Sequence, residues 1–311
     1  MSVRIDLRGD EAWKMVGSRD FKVWPMASSY RDMSAATGID FSAVIGIFEA
    51  HPLFLNGADH KAARAYAAKF LSANRRAHEA VIDAVVDDVV AQIDKRQGDF
   101  DLLTELGDVV WDALAQSYCG ARDDLGPLSL SLQGLFLPKT PLRVRKKTND
   151  RLQAIIDEDG KEALDQIILA VLGLRALSGG LVLSLHRIVT ENHGKRLCDI
   201  AFPETYSESI LRFADRLNAE PVVVSGCPYA AGTVFRCVTF DADYRLEENA
   251  KNLFGAGAHL CLGRTVSQYV WDRMVARLSQ SRKRIKAGEI VVEDYEFYIA
   301  PATCVVSVSD T

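Results

Sequence analysis

One stretch near the end of the chain combines the residue types and spacing that chemistry needs: Phe254-Gly255-Ala256-Gly257-Ala258-His259-Leu260-Cys261-Leu262-Gly263. A single cysteine sits in a glycine-punctuated loop, and an amphipathic segment follows at once. Gly255, Gly257 and Gly263 permit backbone conformations that a Cβ forbids, and they let another group come close. A cysteine so placed can serve as an open, deprotonated metal ligand. Unpaired N–H groups and the dipole at a helix N-terminus favour its thiolate. A lone loop thiolate is also one of the few ways to hold haem iron by sulfur. Taken alone, a cysteine is more often a small buried hydrophobe. The whole pattern, rather than Cys261 by itself, has to carry a metal-ligand reading.

That pattern resembles the haem-binding loop of the cytochrome P450 family: Phe, then Gly three on, His five on, Cys seven on and Gly nine on. The resemblance implies haem b (iron protoporphyrin IX) with Cys261 as its axial thiolate. It implies Phe254 packed beside the sulfur, His259 on a haem propionate, and Gly257 and Gly263 as the loop's two glycines. A second element fits the same reading. His60 and Arg64 are four apart on an expected helix, Asp59 to Phe70, so they share one face. The family's early helix uses this pair on a propionate; two surface polar residues are the plainer alternative. Asp59 is a candidate N-cap.

A third element is the longest apolar run. Gly160 to His186 reads as a long helix, with Ile167, Ile168, Val171 and Leu172 on its apolar face. The resemblance lays this helix over the distal side of the haem, where the family carries Ala-Gly, any residue, an acid and Thr. Here the register gives Leu172-Gly173-Leu174-Arg175-Ala176. Gly173 keeps the family's glycine. Arg175 stands for the acid and Ala176 for the alcohol, and neither can donate the proton that oxygen activation needs. Ser178, the nearest hydroxyl, is turned about 200° away around the helix. Some relatives with an arginine here use hydrogen peroxide, and the substrate's own carboxylate supplies the acid–base function.

Composition bounds the alternatives. The chain has 311 residues, 48% hydrophobic and 25% charged, enough for a core without staples. A net charge of -5 argues against a nucleic-acid partner. The six cysteines show no CxxC pair and no zinc spacing, so they read as reduced and cytoplasmic. Met1 to Asp10 is polar, unlike a signal peptide. Arg175 interrupts the run Ile167 to Leu185 at its centre, which suits a core helix better than a membrane span.

The remaining segments must position these residues. Trp13, Phe21 and Trp24 predict a short helix and loops. His78 to Arg96 and Asp101 to Tyr118 have apolar residues at three- and four-residue spacing and read as core helices. Gly126 to Thr140 is apolar and broken by prolines, a loop or short helices lining a cavity. Arg143-Val144-Arg145-Lys146-Lys147 reads as a solvated basic face. Ser207 to Arg212 sits where the family has a Glu-x-x-Arg helix, but Glu208 and Arg212 are four apart, which fits an ordinary helical ion pair better. Val222 to Val224 and Gly232 to Val238 predict short strands around a Tyr229–Gly232 turn. Phe240 to Arg245 resembles the family's approach to the cysteine loop. Arg264 to Leu278 reads as a helix, and Ile290 to Val308 as two strands turning at Ala300-Pro301.

The expected fold is therefore mainly α: one reduced cytochrome P450-like domain, residues 1–311, with a small β-region. The resemblance implies oxidation of a small organic substrate, for Arg175 a carboxylic acid. The oxidant would be hydrogen peroxide, or dioxygen with a ferredoxin-type electron donor. A non-catalytic haem-binding protein and a redox-neutral haem enzyme that rearranges a peroxide remain as alternatives. Neither a nucleic acid nor a membrane is an expected partner.

Overall fold

The computed structural model describes residues 4–137, 139–239, 253–294 and 298–310, with the backbone only at 174 and 175. In chain order the first elements are β1 (Arg4–Leu7), α1 (Gly9–Gly17), β2 (Phe21–Lys22), α2 (Met26–Thr37), α3 (Ser42–Ala50) and α4 (Gly57–Ser72). Then come α5 (Arg75–Lys95), β3 (Gly98–Asp101), α6 (Asp108–Cys119), α7 (Leu125–Gly134), α8 (Leu142–Asp159) and α9 (Lys161–Glu191). The last are β4 (Phe213–Asn218), β5 (Val222–Val224), β6 (Cys227–Tyr229), β7 (Val234–Val238), α10 (Arg264–Leu278), β8 (Arg284–Asp294) and β9 (Ile299–Ser309). They fall into two compact units. One comprises Met1–Leu71, Pro127–Leu169 and Leu211–Leu262; the other comprises Ser72–Gly126, Ala170–Ile210 and Gly263–Thr311.

In the first unit, four strands form a sheet in the order β1-β7-β4-β2, with β1 parallel to β7 and the other pairs antiparallel. Ala12, Met15 and Val16 of α1 pack with Leu7, Phe235 and Cys237 as its core. The opening residues are thus more regular than the short helix and loops their aromatics predict. β5 and β6 make a hairpin that turns at Ser225 and Gly226, both at positive φ. The Tyr229–Gly232 segment instead leads into β7. Tyr30, Phe41 and Phe48 bury an aromatic cluster beneath α2 and α3. Within the expected basic face, Arg145 is buried rather than solvated. It donates to the carbonyls of Leu135, Leu137 and Thr140 and to the Tyr30 hydroxyl, acceptors that no local charge pattern announces. Pro138 and Phe240 to Arg245 lie outside the described residues.

In the second unit, α5 buries Ile82, Val86, Val89, Val90 and Ile93, the face its spacing predicts. Leu102–Gly107 forms one wide helical turn into α6. A Cβ on Gly107 would lie 2.6 Å from Val182 Cγ2 and 3.0 Å from Ser178 Oγ, so glycine lets α9 come close here. β3, β9 and β8 form an antiparallel sheet. Ala300 and Pro301 lie inside β9 rather than at a turn. Ser207 to Arg212 is not helical. Glu208 pairs with Arg187 of α9 at 3.2 Å, and Ser184 Oγ accepts the amides of Ser207 and Glu208 at 3.1 and 3.0 Å. These partners hold an irregular segment where the charge spacing predicts a helix. α9 is long and apolar enough to cross a membrane by length and composition, but 81% of its most apolar window is buried inside the protein.

Candidate haem-binding site

The cysteine loop is shaped by its own backbone. Gly255 and Gly257 have φ of 81° and 64°, the left-handed region where a Cβ is costly. Gly257–His259 forms one tight helical turn, closed by Leu260 N–H donating to Gly257 O at 3.3 Å. Cys261 N–H then donates to Phe254 O at 2.8 Å, which ties the two ends of the loop together. A Cβ on Gly257 would lie 2.4 Å from Gly17 O, so only glycine lets the turn rest on the end of α1. Gly263 differs from its expected role. Its φ of -77° and ψ of 0° are ordinary for any residue, and it caps α10. Cys261 is exposed and in no disulfide. α10 begins three residues on, at Arg264.

Beside this loop the first unit brings together residues from three elements. His60 and Arg64 lie one turn apart on α4, which begins at Gly57; Asp59 is therefore inside the first turn, not an N-cap. The His60 ring is buried and stands 4.1 Å from the His259 ring. Its Nε2 is buried without a hydrogen-bond partner among the described residues. Burial, and then the Arg64 charge, hold the His60 pKa below the usual range. The His259 pKa is pushed down to about 4, first by burial and then by His60, Arg216 and Arg64. Both imidazoles are therefore neutral at pH 7, and among the described residues no carboxylate is among the charges acting on either ring. Arg64 is half-buried and makes no hydrogen bond or ion pair among the described residues.

Arg216 is the member that sequence reasoning missed. It lies buried on β4 and donates to Asp215 O at 3.0 Å and to Val16 O at 3.5 Å. The available signal was an arginine two residues before Asn218 on the buried face of a short strand, but no strand was expected there. Two imidazoles and two guanidiniums gather here; among the described residues no carboxylate acts on either ring, Asp215 acts on Arg216, and the group offers donors to an anion. An orphaned buried nitrogen is the gap that an incoming acceptor fills. The residues present therefore fit the carboxylates of a haem, with Cys261 as the thiol on the adjoining loop.

α9 carries the other expected site residues. Gly173 is exposed, with nothing within 4 Å of where a Cβ would stand. Ala176 is half-buried. Arg175 is helical, and its side chain lies outside the described residues. Ser178 is fully buried against Gly107, with its Oγ lacking a hydrogen-bond partner among the described residues.

No protein-family model matches the chain, and no curated protein matches it. Solved structures do match. P450BioI, in complex with hexadec-9Z-enoic acid ligated acyl carrier protein, gives a TM-score of 0.75 at 15% identity over 96% of this chain and 91% of that one. A thermophilic cytochrome P450 from Sulfolobus tokodaii gives 0.68 at 16% identity over 98% and 94%. P450 RauA, complexed with a biosynthetic intermediate of aurachin RE, gives 0.67 at 18% identity over 96% and 89%. At such identities the likeness is one of fold. The chain has a mainly α, cytochrome P450-like fold with small sheets.

Proposed function

We propose that the protein is a haem-thiolate oxidoreductase that oxidises a small organic substrate by oxygen insertion. Haem b would be held by Cys261 within a single domain spanning residues 1–311, working in the cytoplasm. One observation carries this reading. An exposed cysteine on a glycine-turned loop adjoins a buried His60 Nε2 that lacks a partner among the described residues, beside two imidazoles on which no described carboxylate acts. A porphyrin with two propionates supplies the missing acceptors.

His60 and His259, neutral at pH 7, offer N–H donors, while Arg64 and Arg216 supply the positive charge. Phe254 would pack beside the Cys261 sulfur, and Gly257 and Gly263 bracket the turn that presents it. When bound, the haem supplies activation of peroxide or dioxygen, which a thiolate ligand favours. On α9, Gly173 leaves room for a ligand. Arg175 keeps its proton at any working pH, so it binds a carboxylate rather than donating, and Ala176 has no proton to give. A carboxylic acid held by Arg175 would itself carry the proton, on its carboxylate oxygen. Hydrogen peroxide brings its own oxidising equivalents, so this route converts R–H and peroxide to R–OH and water. Dioxygen would need two electrons from a ferredoxin-type donor.

A second reading, a haem-binding protein without catalysis, is favoured by the Arg175–Ala176 pair and by the irregular Ser207–Arg212 segment. A redox-neutral rearrangement of a peroxide is a third. The discriminating experiment supplies peroxide and a series of carboxylic acids and their methyl esters to haem-loaded protein and to Arg175→Ala. Oxidation of acids over esters, lost in the variant and partly restored by a short added acid, supports the peroxide route. Turnover only with ferredoxin and dioxygen removes the carboxylate role of Arg175. No turnover under either condition leaves the binding protein.

A further inference from the structure

A cleft in the first unit is not used by the haem chemistry proposed above. It lies where the end of α3 meets α4 and the start of α9, and it holds about 310 Å³ counted to its open side. Ile47, Ala63 and Ile168 give it aliphatic walls, and its polar groups are His51, Tyr66 and Asp165. None of these residues belongs to the cluster of His60, Arg64, His259 and Arg216.

His51 is held from several directions. Its main-chain N–H donates to Ile47 O at 2.8 Å, and the Phe54 ring lies 5.6 Å from the imidazole. Nδ1 accepts from Leu53 N–H at 3.2 Å, so the neutral ring carries its proton on Nε2. That second N–H has no hydrogen-bond partner among the described residues. Burial pushes the His51 pKa down to about 4, so the ring is an uncharged donor at pH 7. Tyr66 Oη accepts from Gln166 Nε2 at 3.5 Å, and its own proton is uncommitted among the described residues. Asp165 is already satisfied: Lys161 Nζ donates to both of its oxygens at 2.8 Å. The cleft therefore combines an apolar lining with two donors, and its one carboxylate is paired.

We propose that this cleft binds a small uncharged carbonyl compound, its apolar body against Ile47, Ala63 and Ile168 and its carbonyl oxygen accepting from His51 Nε2–H. Ligand pockets are commonly built this way, with apolar walls and a few placed polar groups that fix orientation. A pure hydrocarbon would cover the N–H without giving it an acceptor. A carboxylate would give up water beside Asp165, and an ammonium would meet donors where it needs acceptors. A carbonyl oxygen has two lone pairs, so the Tyr66 hydroxyl or water can use the second. The ligand is chemically distinct from the carboxylic acid proposed for Arg175, and the inference does not rest on that reading.

The test titrates the nitrogen-15-labelled full chain at pH 7 with cyclohexanone, cyclohexanecarboxylate and cyclohexylamine. Nuclear magnetic resonance follows the His51 imidazole and the Tyr66 amide. Before any ligand is added, the ring nitrogens of His51 should report the Nε2–H tautomer; an Nδ1–H ring overturns the proposal. Cyclohexanone should move both signals saturably, and the two charged analogues should not. His51→Asn keeps an acceptor for Leu53 N–H and withdraws the farther donor. It should bind cyclohexanone about two- to tenfold more weakly, read at the Tyr66 amide. Ala63→Phe fills the cleft and should abolish binding. Far-UV circular dichroism confirms that each variant is folded. No shift in wild type, equal affinity in His51→Asn, retained binding in Ala63→Phe, or a carboxylate that binds as tightly as the ketone overturns the proposal. These signals are local to the cleft, so failure of the haem reading would leave them unchanged.

Discussion

Gly257→Ala is the substitution to which the cysteine loop should be most sensitive. At φ 64° an alanine pays the left-handed penalty, roughly 1–2 kcal/mol. Its Cβ would stand 2.4 Å from Gly17 O, 2.8 Å from Gly17 Cα and 2.9 Å from Gly17 C, all of them backbone atoms. Relief requires the end of α1 to move by about 1 Å, and overpacking of this kind costs roughly 1–3 kcal/mol. α1 resists, because Ala12, Met15 and Val16 are buried and Val16 O accepts from Arg216. Together the two effects destabilise the loop by about 2–5 kcal/mol. Amide hydrogen exchange reads this directly at Leu260 and Cys261, whose N–H groups donate to Gly257 O and Phe254 O. A loss of 2 kcal/mol corresponds to exchange about thirtyfold faster, up to the unprotected rate. Gly263→Ala is the control: at φ -77° it should cost less than about 1 kcal/mol. Wild-type exchange at both amides in Gly257→Ala would refute the assignment of this close contact.

Two further outcomes concern Arg64 and the buried histidines. Arg64→Ala should weaken haem binding by about 1–3 kcal/mol, the value of a charged hydrogen bond. It should leave the thermal stability of the haem-free protein unchanged, since Arg64 has no partner to lose among the described residues; haem titration and a melting scan check the two halves. Acid should destabilise the haem-free protein. Burial pushes the pKa of His51 and His259 down to about 4 and lowers those of His60, His78 and His186. The folded state keeps these rings neutral while the unfolded chain takes up protons below about 6.5, so stability falls as pH drops from there toward 4. The melting temperature should decline steadily from pH 7 to pH 5, and a flat profile would contradict it.

Elements whose determinants are local could be read from the sequence. α10 keeps its expected bounds, Arg264 to Leu278, because its apolar positions repeat along one face. α9 follows from its apolar run. The cysteine loop follows from its glycines, since the Cys261–Phe254 bond closes within the loop itself. Elements with distant partners could not. Ser207 to Arg212 has the charge spacing of a helix, yet Arg187 takes Glu208 and Ser184 takes two of its amides, both from α9. Arg145 lies in a run that reads as solvated, and its acceptors include Tyr30 from a helix far earlier in the chain. Arg216 joined the cluster through β4, a strand too short and too polar for its alternation to stand out.

Haem ligation by Cys261 is tested most directly by the carbon monoxide spectrum of the reduced, haem-loaded protein, compared between wild type and Cys261→Ala. Wild type should give a thiolate-type spectrum that the variant lacks, while Cys261→His shifts it to an ordinary imidazole type. A thiolate-type spectrum that survives in Cys261→Ala, or wild-type protein that takes up no haem, would contradict ligation by Cys261.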